Sequence, residues 1–531
     1  MRGRVLLLSL VIALFISLCS VRASAQERLH YPVEGGNLYF DPTNGTVVDC
    51  DHAVTAAVIP AEIQGIPVRA IGDLAFDYCE KLHTVTFPDG LERIGDMSFA
   101  YCYGLSALAF PDSLLTIADR AFFDCTALAE LSFGSGICSV GRDAFWGAAY
   151  LRRAENWDND LLYAGDVLLK ARSTLEGEAV LRPDTRLIAG SAFYGCTGLT
   201  RVTLPQSLTA IGPESFYYCI SLERLYIPDR VLLIEESAFQ HCAAIQTISI
   251  GSGVRSIGEK AFAFCGALEQ VTIGSSLRTL GSYAFADCDR LTRVRFYGAA
   301  PELGLHVFDD DRPGGYVPIS GLTLYFTPEA GGWTAPVWNG YPTALWNRPF
   351  ADVPAFAWYA PAADYVLEQG LMQGVGEGCF APESPMTRAM LVTVLWRYAG
   401  QPAEGTNSFT DVPSNVWYTQ AVAWAAENGI VTGIGGGRFD PDGQITREQL
   451  AVILYRYCKS IGIDTSPSAE LSAFPDAAKV SPYAAEALSW AVKTGLVTGS
   501  ASGGKVYLEP QGKATRAQVA TILMRWLETL L

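Results

Sequence analysis

The chain has 531 residues, a formal net charge of −17 at pH 7, and a hydrophobic content of 50%. Because one hydrophobic core rarely serves a chain of this length, we expect at least two domains. The acidic charge argues against a general nucleic-acid binder, since such proteins need clustered basic residues to neutralise phosphates.

The first segment of the chain is typical of export. Two arginines precede an apolar run from Val5 to Leu18, and the small-residue triplet Ala23-Ser24-Ala25 follows. This pattern predicts a signal peptide at residues 1–25 that is cleaved before Gln26. Cys19 suggests a lipoprotein signal, but the bulky leucine before it disfavours that alternative. No later stretch approaches the ~20 apolar residues of a membrane helix, so we expect a secreted protein without a membrane span.

The residues from 26 to 346 follow a 23-residue repeat. Each copy has a phenylalanine, an aliphatic residue five positions before it, and a Leu-x-x-apolar-x-apolar segment after it, as in Leu199/Val202/Leu204. The phenylalanines are Phe76, Phe99, Phe122, Phe145, Phe193, Phe216, Phe239, Phe262, Phe285 and Phe308, with an irregular insertion at 146–187. The alternating end of the segment predicts a short strand. Because one coil cannot bury its own apolar face, the pattern predicts a solenoid of stacked coils with short parallel strands.

Eight of the thirteen cysteines occupy one position of this repeat: Cys79, Cys102, Cys125, Cys196, Cys219, Cys242, Cys265 and Cys288. Cysteines in a secreted chain first suggest disulfides. Equivalent positions of stacked coils form an inward column, however, where thiols behave as small hydrophobes. We therefore favour reduced thiols over bridges between coils. Neither the cysteines nor the five histidines show metal-ligand spacing, so we expect no metal and no cofactor.

The Ala/Ser-Phe-x-x-Cys element, as in Ala192-Phe193-Tyr194-Gly195-Cys196, resembles the BspA-like leucine-rich repeats of bacterial surface proteins. The resemblance implies a capped solenoid over residues 26–346 that binds a protein or glycan. In the later coils the outward strand positions carry arginines and a tyrosine, residue types that are enriched at binding hot spots. We predict that an acidic partner binds this solenoid ligand face, with ordinary solvated strand residues as the alternative; the face comprises Arg201, Arg224, Tyr226, Arg293 and Arg295.

Residues 350–531 contain three copies of a different segment. Each copy opens with Phe-x-Asp, has an aromatic residue seven positions after the Asp, and later has a Thr-Arg pair at the start of a predicted helix. The pairs are Thr387-Arg388, Thr446-Arg447 and Thr515-Arg516. An arginine in the first helical turn opposes the helix dipole. Its presence in all three copies indicates an anion site, to which free amides of the helix start would add donors.

These segments resemble S-layer homology repeats, the wall-anchoring modules of bacterial surface proteins, with copies at 350–400, 409–462 and 474–531. The resemblance implies an all-α pseudo-trimer whose grooves hold a secondary cell-wall polysaccharide, pyruvylated or otherwise anionic. By that resemblance Arg388, Arg447 and Arg516 pair the acidic group, and Trp358 and Trp417 face the sugar. Asp352, Asp411 and Asp476 bond hydroxyls or brace the loop. Pro482-Tyr483 replaces Trp-Tyr in the third copy, so we expect a weaker or purely structural groove there.

Together these patterns predict a secreted, non-enzymatic surface protein that is anchored non-covalently to the cell wall and displays a solenoid for adhesion. One alternative is a subunit of an S-layer lattice, which is disfavoured because a solenoid suits the presentation of a surface. Another is a wall-associated hydrolase, which is disfavoured because no catalytic motif of paired carboxylates or of a nucleophile with its base is recognisable.

Overall fold

The computed structural model describes residues 28–530 except 404, 467, 503 and 504. The predicted signal peptide lies outside the described residues. The chain divides into two compact units, one ending at Trp157 and the other beginning at Asp158. The division falls inside the 146–187 insertion, so the second unit contains both the later coils and the C-terminal repeats.

The first unit is a short solenoid that begins with an antiparallel cap. Its main sheet comprises Leu29–Val33, Gly36–Asp41, Thr46–Cys50, Ala70–Ile71, Arg93–Ile94, Thr116–Ile117 and Ser139–Val140. The first three strands are antiparallel, and the later ones add in parallel at one strand per coil. A second column consists of the parallel pairs Ala56–Val58 with Thr84–Thr86 and Ala107–Ala109 with Glu130–Ser132. The remaining elements are the hairpin Glu62–Ile63/Ile66–Pro67 and the 3-10 turns Ala149–Arg152 and Ala154–Asn156.

The solenoid of the second unit also begins with a hairpin, formed by Leu161–Ala164 and Val167–Ala171. One parallel column then follows as Leu187–Ile188, Ala210–Ile211, Leu233–Ile234, Ser256–Ile257, Thr279–Leu280 and Glu302–Leu303. The other column comprises Glu176–Val180, Gly198–Thr203, Arg224–Ile227, Thr247–Ile250, Gln270–Ile273, Arg293–Phe296, Thr323–Phe326 and Tyr341–Leu345. Val337–Trp338 and the hairpin Asp309–Arg312/Gly315–Pro318 lie near its end, and Trp157–Asp158 spans the division between the units. The predicted solenoid with parallel strands is confirmed.

The repeated phenylalanines and cysteines form buried columns inside the coils. Phe262 is fully buried, and its ring stacks on those of Phe239 and Phe285 at centroid distances of 5.2 and 5.1 Å. Six thiols each donate to the phenylalanine carbonyl of the preceding coil, as Cys242 does to Phe216 at 3.2 Å. These bonds give six of the eight column thiols an acceptor, so those six need no disulfides to satisfy their polar atoms.

In the described part of the chain, six α-helices follow the solenoid, two in each C-terminal repeat. They are α1 (Ala360–Glu368), α2 (Arg388–Tyr398), α3 (Thr419–Glu427), α4 (Arg447–Ser460), α5 (Ala485–Lys493) and α6 (Arg516–Thr529). The third repeat adds the 3-10 turns Leu471–Ala473, Ala477–Lys479 and Pro482–Ala484 and the hairpin Ser500–Ser502/Lys505–Tyr507, so it is not purely helical. All six helices contribute to one hydrophobic core. Among the described residues, no helix has the length and apolar character that crossing a membrane requires.

Candidate functional site

The three C-terminal repeats close into a ring through backbone hydrogen bonds. The bonds lie just before the second helix of each repeat. The N–H of Met386 donates to the carbonyl of Ala514, that of Ala514 to the carbonyl of Ile445, and that of Ile445 to the carbonyl of Met386, each at 2.9 Å. Every repeat therefore contacts both others, and the last repeat joins back to the first.

Each Thr-Arg pair lies where one repeat meets the next. The Nε atoms of Arg388, Arg447 and Arg516 donate to the carbonyls of Phe439, Leu508 and Phe380, at 2.9, 2.8 and 2.6 Å respectively. We call these three junctions the Arg388 groove, the Arg447 groove and the Arg516 groove. In the first and third, the guanidinium also lies over a phenylalanine ring, 4.9 Å from that of Phe439 and 4.8 Å from that of Phe380.

The three guanidinium groups are buried without counter-ions. The exposed fractions of Arg388, Arg447 and Arg516 are 7%, 9% and 6%. No ion pair to any of them occurs among the residues that the structure describes, and burial lowers the pKa of each. A terminal nitrogen of Arg516 donates a hydrogen bond to the Gln373 carbonyl at 2.7 Å. The terminal nitrogens of Arg388 and Arg447 have no hydrogen-bond partner within the described ranges. Buried positive charge with unused donors is suited to binding an anion.

The three aspartates brace the loops that face these arginines. Both carboxylate oxygens of Asp411 accept backbone N–H groups, from Phe439 at 2.7 Å and Asp440 at 2.8 Å. Asp352 and Asp476 make the equivalent pairs of bonds in their own repeats. Burial acts to raise the pKa of Asp411, but the two backbone bonds outweigh it and the pKa is lowered. Since both oxygens are occupied, the loop-bracing alternative fits this geometry better than bonding to sugar hydroxyls.

The helix-start amides are not free, which corrects the expectation that they add donors for an anion. The N–H of Arg388 donates to Gly443 at 2.9 Å, and that of Ala389 donates to Pro441 at 3.1 Å. The next amide, of Met390, donates to the capping hydroxyl of Thr387 at 3.2 Å. The other two repeats use their amides in the same way. Anion binding in these grooves therefore depends on the arginine side chains.

The predicted sugar-facing tryptophans are accessible. The exposed fractions of Trp358 and Trp417 are 50% and 59%, and each packs edge-on against the following tyrosine. In the third repeat Tyr483 is similarly exposed, but its hydroxyl donates to Glu448 at 2.9 Å. The aromatic surface is thus free in two repeats and tied down in the third.

Glu448, which follows Arg447 in the chain, is a buried carboxylate at the contact between the second and third repeats. This carboxylate, 1% exposed, accepts hydrogen bonds from Ser481, Tyr483 and Gln511 of the third repeat. The corresponding residues of the other repeats are Ala389 and Ala517. These bonds to Glu448 join the second repeat to the third and satisfy the buried carboxylate. Tyr483, which the sequence analysis singled out, is part of this cluster, and the weakness of the third groove stays a prediction.

The solenoid ligand face is not an open surface in the structure. Tyr226, expected to be exposed, is 4% exposed, and its hydroxyl accepts a hydrogen bond from Arg525 of α6 at 3.4 Å. Arg224 donates to the Leu527 carbonyl near the end of α6 at 3.4 Å, and Arg295 pairs with Glu368 of α1 at 2.7 Å.

Arg201 and Arg293 are half-buried, and Arg293 lies 5.9 Å from the centre of the Tyr325 ring. The repeats that were expected to serve only as an anchor therefore cover part of this face. Binding of an external acidic partner there stays a prediction.

A buried polar cluster joins the solenoid to the first repeat, and sequence reasoning missed it. Asp364 of α1, 2% exposed, accepts hydrogen bonds from Tyr297 at 2.7 Å and from Arg348 at 2.8 Å. Burial raises the pKa of the Asp364 carboxyl, and the bonds from Arg348 and Tyr297 oppose that shift. The available signal was an aspartate among the alanines and valines of a helical pattern, since such a charge needs a partner when it is buried.

A second buried carboxylate gives the contact between solenoid and repeats a pH dependence. Burial raises the pKa of Glu528 on α6 to about 7 from its ordinary 4.5, although Ser249 and Arg224 favour the charged form. Because the folded-state pKa is the higher one, this group destabilises the fold increasingly from pH 4.5 to 7. We expect a loss of about 3 kcal/mol of unfolding free energy over that window.

Urea unfolding at a series of pH values should show this slope for the full chain, and Glu528→Gln should flatten it. Thr521→Ser on the same helix changes no ionisable group and serves as the control. An equally steep dependence of the unfolding free energy on pH in Glu528→Gln would show that Glu528 does not cause it.

No cluster of histidine, cysteine, aspartate and glutamate side chains suited to holding a metal occurs within the described part of the chain. The candidate site consists of the three arginine grooves with their exposed aromatic residues.

Two protein families match the chain. The family described as "BspA type Leucine rich repeat region" matches residues 55–159 and 183–312 with six copies. The family described as "S-layer homology domain" matches residues 349–389, 408–451 and 473–520. The second set of matches ends each time within the helix that the Thr-Arg pair begins.

Several named proteins resemble parts of the chain. The surface-layer 125 kDa protein of Lysinibacillus sphaericus is 33% identical over 169 residues, which is 32% of this chain and 14% of that protein. The S-layer protein sap of Bacillus anthracis is 28% identical over 187 residues, 35% of this chain and 22% of that protein. An endoglucanase of Bacillus sp. (strain KSM-635) is 31% identical over 176 residues, 33% of this chain and 18% of the enzyme. The chain thus spans less than a quarter of the length of these relatives.

Among solved structures, the leucine-rich repeat protein of T. pallidum matches 50% of this chain and 91% of its own, with 20% identity and a TM-score of 0.19. Since S-layer homology domains in general bind cell-wall polysaccharides, the matches indicate a wall-associated protein of the cell surface. The chain carries a BspA-type leucine-rich repeat region followed by three S-layer homology domains, and about a third of it is similar to bacterial surface-layer proteins.

Proposed function

We propose that the chain binds an anionic, pyruvylated cell-wall polysaccharide in its Arg388 and Arg516 grooves and displays its leucine-rich coils outward for adhesion. The observation that carries this proposal is the burial of both guanidinium groups without a carboxylate partner. A buried charge without a counter-ion is costly, and a carboxylate on the ligand would offset that cost with charged hydrogen bonds.

Each of the two grooves is completed by a repeat that carries an exposed tryptophan. The repeat that supplies Asp411 to the Arg388 groove also carries Trp417, and the repeat that supplies Asp352 to the Arg516 groove carries Trp358. An exposed indole suits the apolar face of a sugar ring, while the arginine suits an acidic substituent. The repeat that completes the Arg447 groove has Pro482-Tyr483 in place of Trp-Tyr, and its Tyr483 hydroxyl is held by Glu448.

The solenoid acts in this proposal by presenting surface and not by catalysis. Both matched families are non-catalytic types, and the likeness to an endoglucanase covers only 18% of that enzyme. In the first unit the outward strand positions of the Thr84–Thr86, Ala107–Ala109 and Glu130–Ser132 strands are exposed. These coils offer an open face to a protein or glycan partner, in contrast to the face beneath α6.

Sedimentation of the full chain with purified cell walls tests the anchor. We expect the chain to pellet with native walls and to stay in solution with walls whose acidic ketal groups have been removed by mild acid. Bovine serum albumin, which is also acidic, controls for trapping in the pellet. Equal pelleting with both wall preparations would show that the carboxylate is not recognised.

A further inference from the structure

The first thiol of the cysteine column differs from those that follow it. Cys102 and Cys125 donate to the carbonyls of Phe76 and Phe99 in the coils before them, each at 3.1 Å. Cys79 belongs to the first coil, so no preceding phenylalanine carbonyl is available to it. Its Sγ instead lies 3.1 Å from the Sγ of Cys50, which ends the last strand of the antiparallel cap.

The two sulfur atoms are enclosed, and an exposed histidine lies beside them. Cys50 and Cys79 are 5% and 0% exposed. The exposed His52 places its Nδ1 atom 4.0 Å from the Cys79 sulfur. Since a disulfide has a sulfur–sulfur distance of about 2.05 Å, an approach of roughly 1 Å would bond the pair.

The surroundings also make Cys79 the more acidic of the two thiols. The hydrogen bond with Cys50 lowers the pKa of Cys79 and outweighs burial, and His52 adds to the lowering. Cys102 is buried without such partners, and burial raises its pKa. A thiolate is the reactive form in disulfide exchange, so Cys79 is suited to be the attacking sulfur.

We propose that Cys50 and Cys79 form a disulfide that ties the N-terminal cap to the first coil of the solenoid. With a small-molecule disulfide as oxidant, His52 accepts the Cys79 proton, and the Cys79 thiolate attacks one sulfur of the oxidant and releases one thiolate. Cys50, after losing its proton, attacks the Cys79 sulfur and releases the second thiolate. The two protein thiols become one disulfide, and the oxidant becomes two thiols, so atoms and electrons balance.

With this disulfide in place, only the seven later cysteines of the column are expected to stay reduced. Among the eight repeat-position cysteines, Cys79 is the one whose sulfur faces another thiol instead of a carbonyl acceptor. The bond would close the end of the solenoid, where no further coil covers the stack. The end coils of a solenoid are the positions that require a cap.

Peptide mass mapping of the full chain tests the proposal. The folded protein is treated with oxidised glutathione, quenched with acid, denatured in N-ethylmaleimide and digested. We expect the Cys50 and Cys79 peptides to be joined and lighter by two hydrogens, while the later column cysteines carry the maleimide label. Labelling of both Cys50 and Cys79 in oxidised, folded protein would overturn the proposal, as would a link from Cys79 to Cys102.

Two variants separate this bond from general oxidation. Cys102→Ser removes the neighbouring thiol of the column, and we expect the link between Cys50 and Cys79 to form in this variant. Absence of the link in Cys102→Ser would contradict the proposed pairing. His52→Ala should slow formation of the link at neutral pH severalfold while leaving the final yield unchanged. An unchanged rate of link formation in His52→Ala would show that His52 does not accept the Cys79 proton.

Discussion

Replacing both Arg388 and Arg516 by glutamine should weaken binding of the full chain to purified cell wall by at least about 100-fold. Glutamine can still donate to the carbonyls of Phe439 and Phe380, so the junctions between repeats keep a hydrogen bond while the charge is lost. A hydrogen bond to a charged group contributes about 1.5–3 kcal/mol, and two such losses correspond to this change in affinity. Quantitative pelleting over a range of wall concentrations measures the effect.

Two single variants serve as controls for this change in charge. Arg438→Gln removes an exposed arginine, with 60% of its side chain accessible, from the loop that faces Arg388. Arg447→Gln removes the arginine that bonds Leu508 of the third repeat, in which Pro482-Tyr483 replaces Trp-Tyr. We expect both to bind wall within about threefold of the natural chain. Arg438 is a surface charge, and such charges contribute little, while the Arg447 groove faces a repeat without an exposed tryptophan. Full binding by the Arg388/Arg516 double variant would eliminate the proposed anchor.

Phe262→Ala should lower the unfolding free energy of the second unit by about 3–5 kcal/mol, the cost of removing a large buried ring and leaving a cavity. Phe262 is fully buried and stacks on a ring from each neighbouring coil, so the cavity would interrupt the column. Coils contact mainly their neighbours, and the loss should therefore be felt across the stack. Urea unfolding followed by circular dichroism gives the change.

Phe264→Ala is the matched control, because it removes the same side chain two residues later in the same coil. Phe264 is 41% exposed and stacks on His241 at the surface. We expect a loss below about 1 kcal/mol, the usual range for exposed aromatic contacts. Similar losses in both variants would show that the buried column does not stabilise the solenoid.

Periodicity was sufficient to predict the coils. A phenylalanine and a cysteine recurring every 23 residues require stacked equivalents, and the structure places both inside the solenoid. The same period places six of these thiols next to a phenylalanine carbonyl of the preceding coil, which accepts a hydrogen bond from each. The contact between Cys50 and Cys79 could not be predicted from the repeat. Cys50 lies outside the repeat, and its position next to Cys79 depends on the antiparallel cap.

The sequence indicated which residues form the candidate site, but it did not indicate which contacts they make. The Thr-Arg pairs indicated helix starts, but nothing in the sequence showed that Arg388 bonds Phe439, 51 residues away in the next repeat. The exposed face of the later coils was inferred from strand alternation, which reports only which side of a strand faces its own core. Tyr226 lies outside that core and is nevertheless buried, because α6 packs against it.

Ring closure sets the order in which the anchor can become active. The side chain of Arg516 bonds Phe380, 136 residues earlier, and the Ala514 carbonyl accepts the N–H of Met386. A polypeptide emerges with its N-terminus first, so the first repeat appears long before the segment that completes its junction. The Arg516 groove does not exist until α6 has emerged and packed. The coils can therefore fold while the chain is still growing, whereas attachment through the complete ring starts only after the last helix has arrived.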